Sequence, residues 1–234
     1  TNLTTPAAAT TSSSRGTPLP EDLSFTASSG EVNCFIGKNG AGKTTLGKCI
    51  SGLLKFQYGS VFLNEEKLSY KALSQKSLFM MQEAEFQFFT NFVLSELKYG
   101  VKTSKHEEIE PLLKKFNMWK LKNRHPFSLS GGQMQKLTLM IAYLSDKSVI
   151  VLDEPTSGLD KKSLDTIVEL IKEMKKEKIV ICISHDLEFI AAVSNKCLEI
   201  KDGVIRQICE VNSSKDIESI KEIFDTEYPQ EDRK

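Results

Sequence analysis

The sequence has no excess of charge: 31 lysines and arginines stand against 31 aspartates and glutamates. A chain so balanced does not work by coating nucleic acid with positive charge, and no nucleic-acid partner is expected. Cysteine is sparse and odd in number, at Cys34, Cys49, Cys182, Cys197 and Cys209. With no C-x-x-C pair among them, a disulfide framework and a zinc site are excluded, and free thiols in a reducing compartment are predicted. Long apolar runs are missing as well. Stretches such as Leu139 to Leu144 and Ile179 to Ile183 fall far short of the roughly 18 to 20 residues that span a bilayer. No basic start followed by an apolar stretch opens the chain, so no signal peptide is read. These absences predict a soluble, cytoplasmic chain whose membrane role must come through a partner.

Large apolar groups are almost missing from residues 1–20, which are rich in Thr, Ser, Ala and Pro. Such a segment cannot bury enough surface to offset its ordering entropy. It is expected to be disordered or added to the natural chain. Residues 21–228 are read as one domain, and 229–234 as a polar tail. Within the domain, Val32 to Ile36, Leu78 to Gln82, Val149 to Leu152 and Ile179 to Ile183 read as buried strands. Helical patterns separate them, including Leu164 to Glu177 with Ile167, Leu170, Ile171 and Met174 at helical spacing. Buried strands alternating with helices predict a parallel sheet covered on both faces, an α/β fold.

One loop carries the strongest chemical signal. Gly37-Lys38-Asn39-Gly40-Ala41-Gly42-Lys43-Thr44 fits G-x-x-x-x-G-K-[ST], between a buried strand and a helix. Its glycines let phosphate approach the backbone amides, which gather at a helix N-terminus. Lys43 adds a full charge for the β- and γ-phosphates, and the Thr44 hydroxyl is placed for Mg²⁺. Further on, Asp153 and Glu154 end an apolar strand where α/β ligand sites form. Successive strand residues face opposite ways, so Asp153 is expected to face the metal and Glu154 an attacking water.

Three more segments complete an ordered set: Leu129-Ser-Gly-Gly-Gln133, Ser157-Gly-Leu-Asp160 and Ser184-His-Asp186. With the phosphate loop and Gln82, they resemble the nucleotide-binding domain of ABC ATPases over about residues 22–210. The resemblance implies a P-loop, RecA-like mixed-sheet core with an inserted helical signature subdomain, about 83–145, and a small antiparallel β portion. It also implies ATP and Mg²⁺ as ligands. Residues Gly37 to Thr45 then hold the triphosphate, with Thr44, Gln82 and Asp153 at the metal. Glu154 is the general base, and His185 meets the γ-phosphate. Ser130, Gly131, Gly132 and Gln133 would reach the nucleotide of a second ATPase subunit, with Asp160 in the segment that crosses between subunits. A Ser-Gly-Gly helix start also makes physical sense as a phosphate site without lysine. By itself, however, it is only a helix cap.

The segment Met81-Gln-Glu-Ala-Glu-Phe-Gln-Phe-Phe-Thr-Asn-Phe-Val is similar to ATPases of energy-coupling-factor importers. That narrower resemblance implies a transmembrane T component and a substrate-binding S component as partners, at the cytoplasmic face of the membrane. Another transporter type, or a non-transport ABC ATPase, is the alternative. Phe86, Phe88, Phe89 and Phe92 either line a groove for the membrane partner or form the small core of the helical subdomain. Two departures from the family stand out. The early strand with an adenine-stacking aromatic is read as absent or replaced, the first aromatic being Phe25. Lys136 stands where Arg is common.

Overall fold

Residues 1–5, 24–55, 59–82, 87–99 and 101–227 are described by the computed structural model, and everything below concerns them. Strands β1 (Asn2–Thr5), β2 (Phe25–Ser28), β4 (Val61–Leu63) and β5 (Glu66–Leu68) form an antiparallel sheet in the order β2-β1-β4-β5. A six-stranded sheet carries β3 (Val32–Ile36), β6 (Ser77–Met80), β7 (Val149–Asp153), β8 (Ile179–Ile183), β9 (Lys196–Lys201) and β10 (Val204–Glu210). Its order is β10-β9-β3-β8-β7-β6, parallel throughout except for β10. The central strands β3, β7 and β8 are buried at every position, which is why they read as mostly apolar runs, broken only by Asn33 and the terminal Asp153.

Helix α1 (Lys43–Ile50) follows the phosphate loop, and α2 (Tyr70–Lys76) leads into β6. Between β6 and β7 lie α3 (Val93–Lys98), α4 (His106–Lys115) and α5 (Gly131–Leu144). Helices α6 (Lys161–Met174), α7 (Leu187–Val193) and α8 (Ser214–Glu227) complete the chain. Two apolar clusters divide the core. One joins α5, α6 and the helices before α5 to one face of the large sheet; the other lies between its opposite face, α1 and the antiparallel sheet.

The structure corrects two readings. Asn2–Thr5 is a strand, not a disordered segment: Leu3 is fully buried and β1 pairs with both β2 and β4. The early strand that was read as absent is therefore present, within the first five residues. Phe25 packs edge-on against Phe35 at 5.5 Å and is core. Helix α5 is buried around most of its girth, with Thr138, Leu139, Met140 and Ala142 about as buried as Leu137 and Leu144. Of the four phenylalanines in the glutamine segment, Phe88 is buried at 9% exposure while Phe89 is 78% exposed and Phe92 50%. Phe86, residues 6–20 of the N-terminal segment and the tail at 229–234 lie outside the described residues.

Register places four cysteines in one row across the large sheet. Cys209 opposes Cys197, Cys197 aligns with Cys34, and Cys34 aligns with Cys182. All are free thiols. Hydrogen bonding to neighbouring thiols, followed by burial, raises the pKa of Cys34 and Cys197, so both stay protonated packing groups.

Candidate functional site

The phosphate loop leaves β3 and turns into α1 through three glycines at positive φ: Gly37 at 136°, Gly40 at 84° and Gly42 at 103°. Gly37 has a second constraint. A Cβ there would stand 2.1 Å from the carbonyl oxygen of Ile200, so β9 presses directly on the loop. Gly42 is the N-cap of α1 and supplies no side-chain cap. The first amides of α1 are left to other partners, as an anion site requires. Lys43 is buried and folds back on the loop, its Nζ donating to the carbonyls of Gly37 and Lys38. Burial lowers its pKa, against the pull of Glu154 and Asp153.

Asn39, Gly40, Gly42, Lys43, Thr44 and Thr45 line a cavity of about 190 Å³ together with Gln82, Asp153 and Glu154. Ala41 is buried beneath the loop, and its carbonyl accepts the Gly203 amide from the β9–β10 turn at 3.0 Å. Thr44 Oγ1 donates to Asp153 Oδ2 at 2.9 Å. Burial holds the Asp153 carboxyl above its usual range, partly offset by that hydroxyl. A hydroxyl, a carboxylate and an amide side chain around one cavity suit a hard cation. Mg²⁺ needs few protein ligands when phosphate supplies others, and this set fits it.

Glu154 leaves the strand with φ 49°, in the left-handed region that a glutamate seldom occupies. Its Oε1 lies 2.7 Å from His185 Nδ1, and its Oε2 accepts from Ser184 Oγ at 3.4 Å. The bond to Glu154 is the main reason the His185 pKa rises above 6.5. Asp153 and Glu154 thus serve different neighbours, because β7 ends at Asp153 and the positive φ of Glu154 turns the chain there, not because of strand alternation.

The Ser-Gly-Gly segment lies elsewhere. Ser130 caps α5 and forms a capping box: its Oγ accepts the Gln133 amide at 3.4 Å, and Gln133 Oε1 accepts the Ser130 amide at 3.1 Å. Ser130, Gly131, Gly132 and Gln133 line a second cavity of about 780 Å³ with Gln82 and Ser157 to Asp160. Asp160 caps α6 by accepting the Ser163 amide at 2.7 Å. Gln82 is the residue that borders both cavities. The expected site residues therefore fall into two groups within one chain, a phosphate cavity and a separate helix-start cavity. Sequence reasoning missed Ser184 and Gln135, whose Nε2 donates to the Glu154 carbonyl at 3.1 Å. Gln135 left no distinct signal, being one of several polar residues in α5 beside Gln133, Lys136 and Thr138.

Comparison with known proteins gives the family. The family model described as ABC transporter matches residues 20–157. An ABC transporter ATP-binding protein of Treponema denticola is 37% identical over 195 residues, covering 82% of this chain and 40% of its own length. The chain thus spans well under half of that relative. The energy-coupling factor transporter ATP-binding protein EcfA2 of Clostridium acetobutylicum is 31% identical over 207 residues, covering 80% of this chain and 72% of its own. Among solved structures, an ATP-binding subunit of an ABC transporter superposes with TM-score 0.78 at 22% identity, covering 99% of this chain and 97% of that one. No helix among the described residues is long and apolar enough to cross a membrane. The phosphate loop, the acidic strand end and the capped start of α5 therefore stand in a known frame, and the chain belongs to the ATP-binding proteins of ABC transporters.

Proposed function

We propose that this chain binds and hydrolyses ATP to drive import through membrane partners of the energy-coupling-factor type. The observation that carries the reading is the division of the site. One cavity holds Lys43, Thr44, Asp153 and Glu154, and the other holds the α5 start. Each half lacks what the other offers, so two chains facing one another complete two sites. The loop amides and Lys43 hold the triphosphate of one chain. Ser130, Gly131 and Gly132 of the partner subunit close over its γ-phosphate. Glu154 holds and deprotonates the attacking water, and His185 steadies both Glu154 and the terminal phosphate. Thr44, Asp153 and Gln82 would hold Mg²⁺, which would supply neutralisation of phosphate charge. Positioning and electrostatic stabilisation then provide most of the catalysis.

The importer type rests on the relation to EcfA2 and on the glutamine segment. An import ATP-binding protein of Bacillus subtilis named for HMP and thiamine, 33% identical over 188 residues, supports the direction of transport. Phe89 and Phe92, exposed beside the Gln82 segment, are the contacts offered to the T component. On this reading the chain works at the cytoplasmic face of the membrane, held by its partners.

The test is an ATP-dependent dimer. Glu154→Gln should run as a dimer with Mg-ATP and a monomer without it, by size exclusion with light scattering. A variant that binds ATP but never dimerises, alone or with a candidate second ATPase, would overturn the shared site. Co-purification of T and S components, with identification of the bound ligand, tests the importer type.

A further inference from the structure

Gln135 sits inside the first turns of α5, 3% exposed. A buried amide must find partners inside the protein. Its Nε2 donates to the backbone carbonyl of Glu154 at 3.1 Å. The same carbonyl accepts the Ser157 amide at 3.2 Å, while the Glu154 amide donates to Ile183 at 2.9 Å. Both peptides flanking Glu154 are therefore held, one by β8 and one by α5 together with the turn at Ser157. That matters because φ 49° is costly for a glutamate and persists only where its surroundings enforce it. A small backbone rotation here would swing the carboxylate away from Ser184 and His185.

The helix that supplies this hold is the one whose N-terminus carries Ser130 and Gly131. Its start is packed tightly on the neighbouring segment: a Cβ at Gly132 would lie 3.2 Å from the Gly158 carbonyl. We propose that Gln135 is a positioning residue for hydrolysis. Its amide ties the backbone of Glu154 to α5, so the carboxylate is aimed when the signature helix is seated. This rests on the reading of Glu154 as the base and of the α5 start as a contact for the partner subunit's nucleotide. Under that reading one helix touches the nucleotide of one site and sets the base of the other, linking the two sites of a dimer.

The experiment is ATP hydrolysis by the full-length protein in its assembled dimer, for Gln135→Met, Gln135→Glu, Glu154→Gln and the Gln135→Met/Glu154→Gln pair. Gln135→Met should lower kcat by about tenfold, the scale of one buried hydrogen bond, with little change in KM for ATP. Gln135→Glu should be impaired where its carboxyl is ionised and recover as pH falls, because only the protonated carboxyl donates to the Glu154 carbonyl. In single turnovers on the Glu154→Gln background, Gln135→Met should cost nothing further. Unchanged kcat in Gln135→Met, or losses that multiply in the double variant, would overturn the assignment. Should Gln135→Met fail to fold, the pH recovery of Gln135→Glu decides: absent recovery overturns it. Wild-type turnover in Glu154→Gln would instead remove the base itself, and with it this proposal. An inactive Glu154→Gln beside a fully active Gln135→Met sinks only the role of Gln135.

Discussion

Two helix starts face ligand cavities in this chain, and they are built on opposite principles. At α1 the N-cap is a glycine in the left-handed region, no side chain caps the helix, and a buried lysine and two carboxylates stand close by. At α5 a serine and a glutamine cap one another, and no charge lies in the first turn. The first start leaves its amides open and surrounds them with full charges whose pKa values burial has moved. The second has already satisfied part of its own hydrogen bonding and offers only a dipole and a hydroxyl. In the proposed cycle the first would hold the nucleotide, and the second would add a weaker contact suited to an interaction that must form and break once per turnover.

This contrast is open to direct attack. The largest effect is expected at the α1 cavity: Glu154→Gln should cut steady-state hydrolysis by at least about 10²-fold, the usual scale for a lost general base. Calorimetry should find ATP binding retained in that variant, because the loop amides and Lys43 are untouched. Lys43→Ala should weaken ATP binding roughly ten- to a hundredfold, as expected for losing charge-assisted bonds of about 1.5–3 kcal/mol. Unchanged affinity in Lys43→Ala would refute the phosphate-loop assignment. At the α5 start, Ser130→Arg should leave ATP binding to the isolated chain intact yet lower turnover of the assembled transporter by about tenfold or more, through bulk at a shared contact. Full turnover would make the capping box structural alone.

The far end of α5 sharpens the comparison from another side. Lys178 is buried there, and its Nζ donates to the carbonyls of Ser145 and Lys147. Burial lowers its pKa from 10.5 to about 8. Between those values the unfolded chain binds more protons than the folded one, so stability should rise with pH across that window, by on the order of 1 kcal/mol. Denaturant titrations of the wild type and Lys178→Met should differ in this slope. The smallest effect is reserved for Phe89→Ser, which should change stability by no more than about 0.5 kcal/mol because the ring is exposed. The same substitution should weaken capture of the T component; normal capture would remove Phe89 from that surface.

Strands β3 and β8 were legible to the residue, because short, mostly apolar runs between turn residues have few other fates. The chemistry of the α1 cavity was legible for a different reason: phosphate loops need fixed residue types at fixed spacing. Other elements left little local trace. Glu66–Leu68 offers one apolar residue, and its hairpin turns on Asn64 and Glu65 at positive φ, without the Asn-Gly pair that signals such a turn. Gln135 was hidden because its partner is a backbone carbonyl, which no side-chain pattern encodes. Phe88 and Phe89 are adjacent and chemically identical, so only tertiary packing could separate a core ring from a surface one.

β1 illustrates the same limit and has a consequence for how the chain is made. Asn2–Thr5 holds a single large apolar residue, yet it is flanked on both sides, Leu3 opposing Ala27 on one neighbour and Leu63 on the other. Its order comes from partners far along the chain. During synthesis Asn2–Thr5 is made before Leu63, so this strand must wait with one edge unpaired. Contacts of such long sequence separation form slowly, because loop closure must precede their reward. The antiparallel sheet should therefore be a late step of folding, closing over a phosphate loop whose own strand pairs, β3 with β8 and β9, arrive later still from the C-terminal half. Nucleotide, by binding only the finished loop, would act on folding as a late latch.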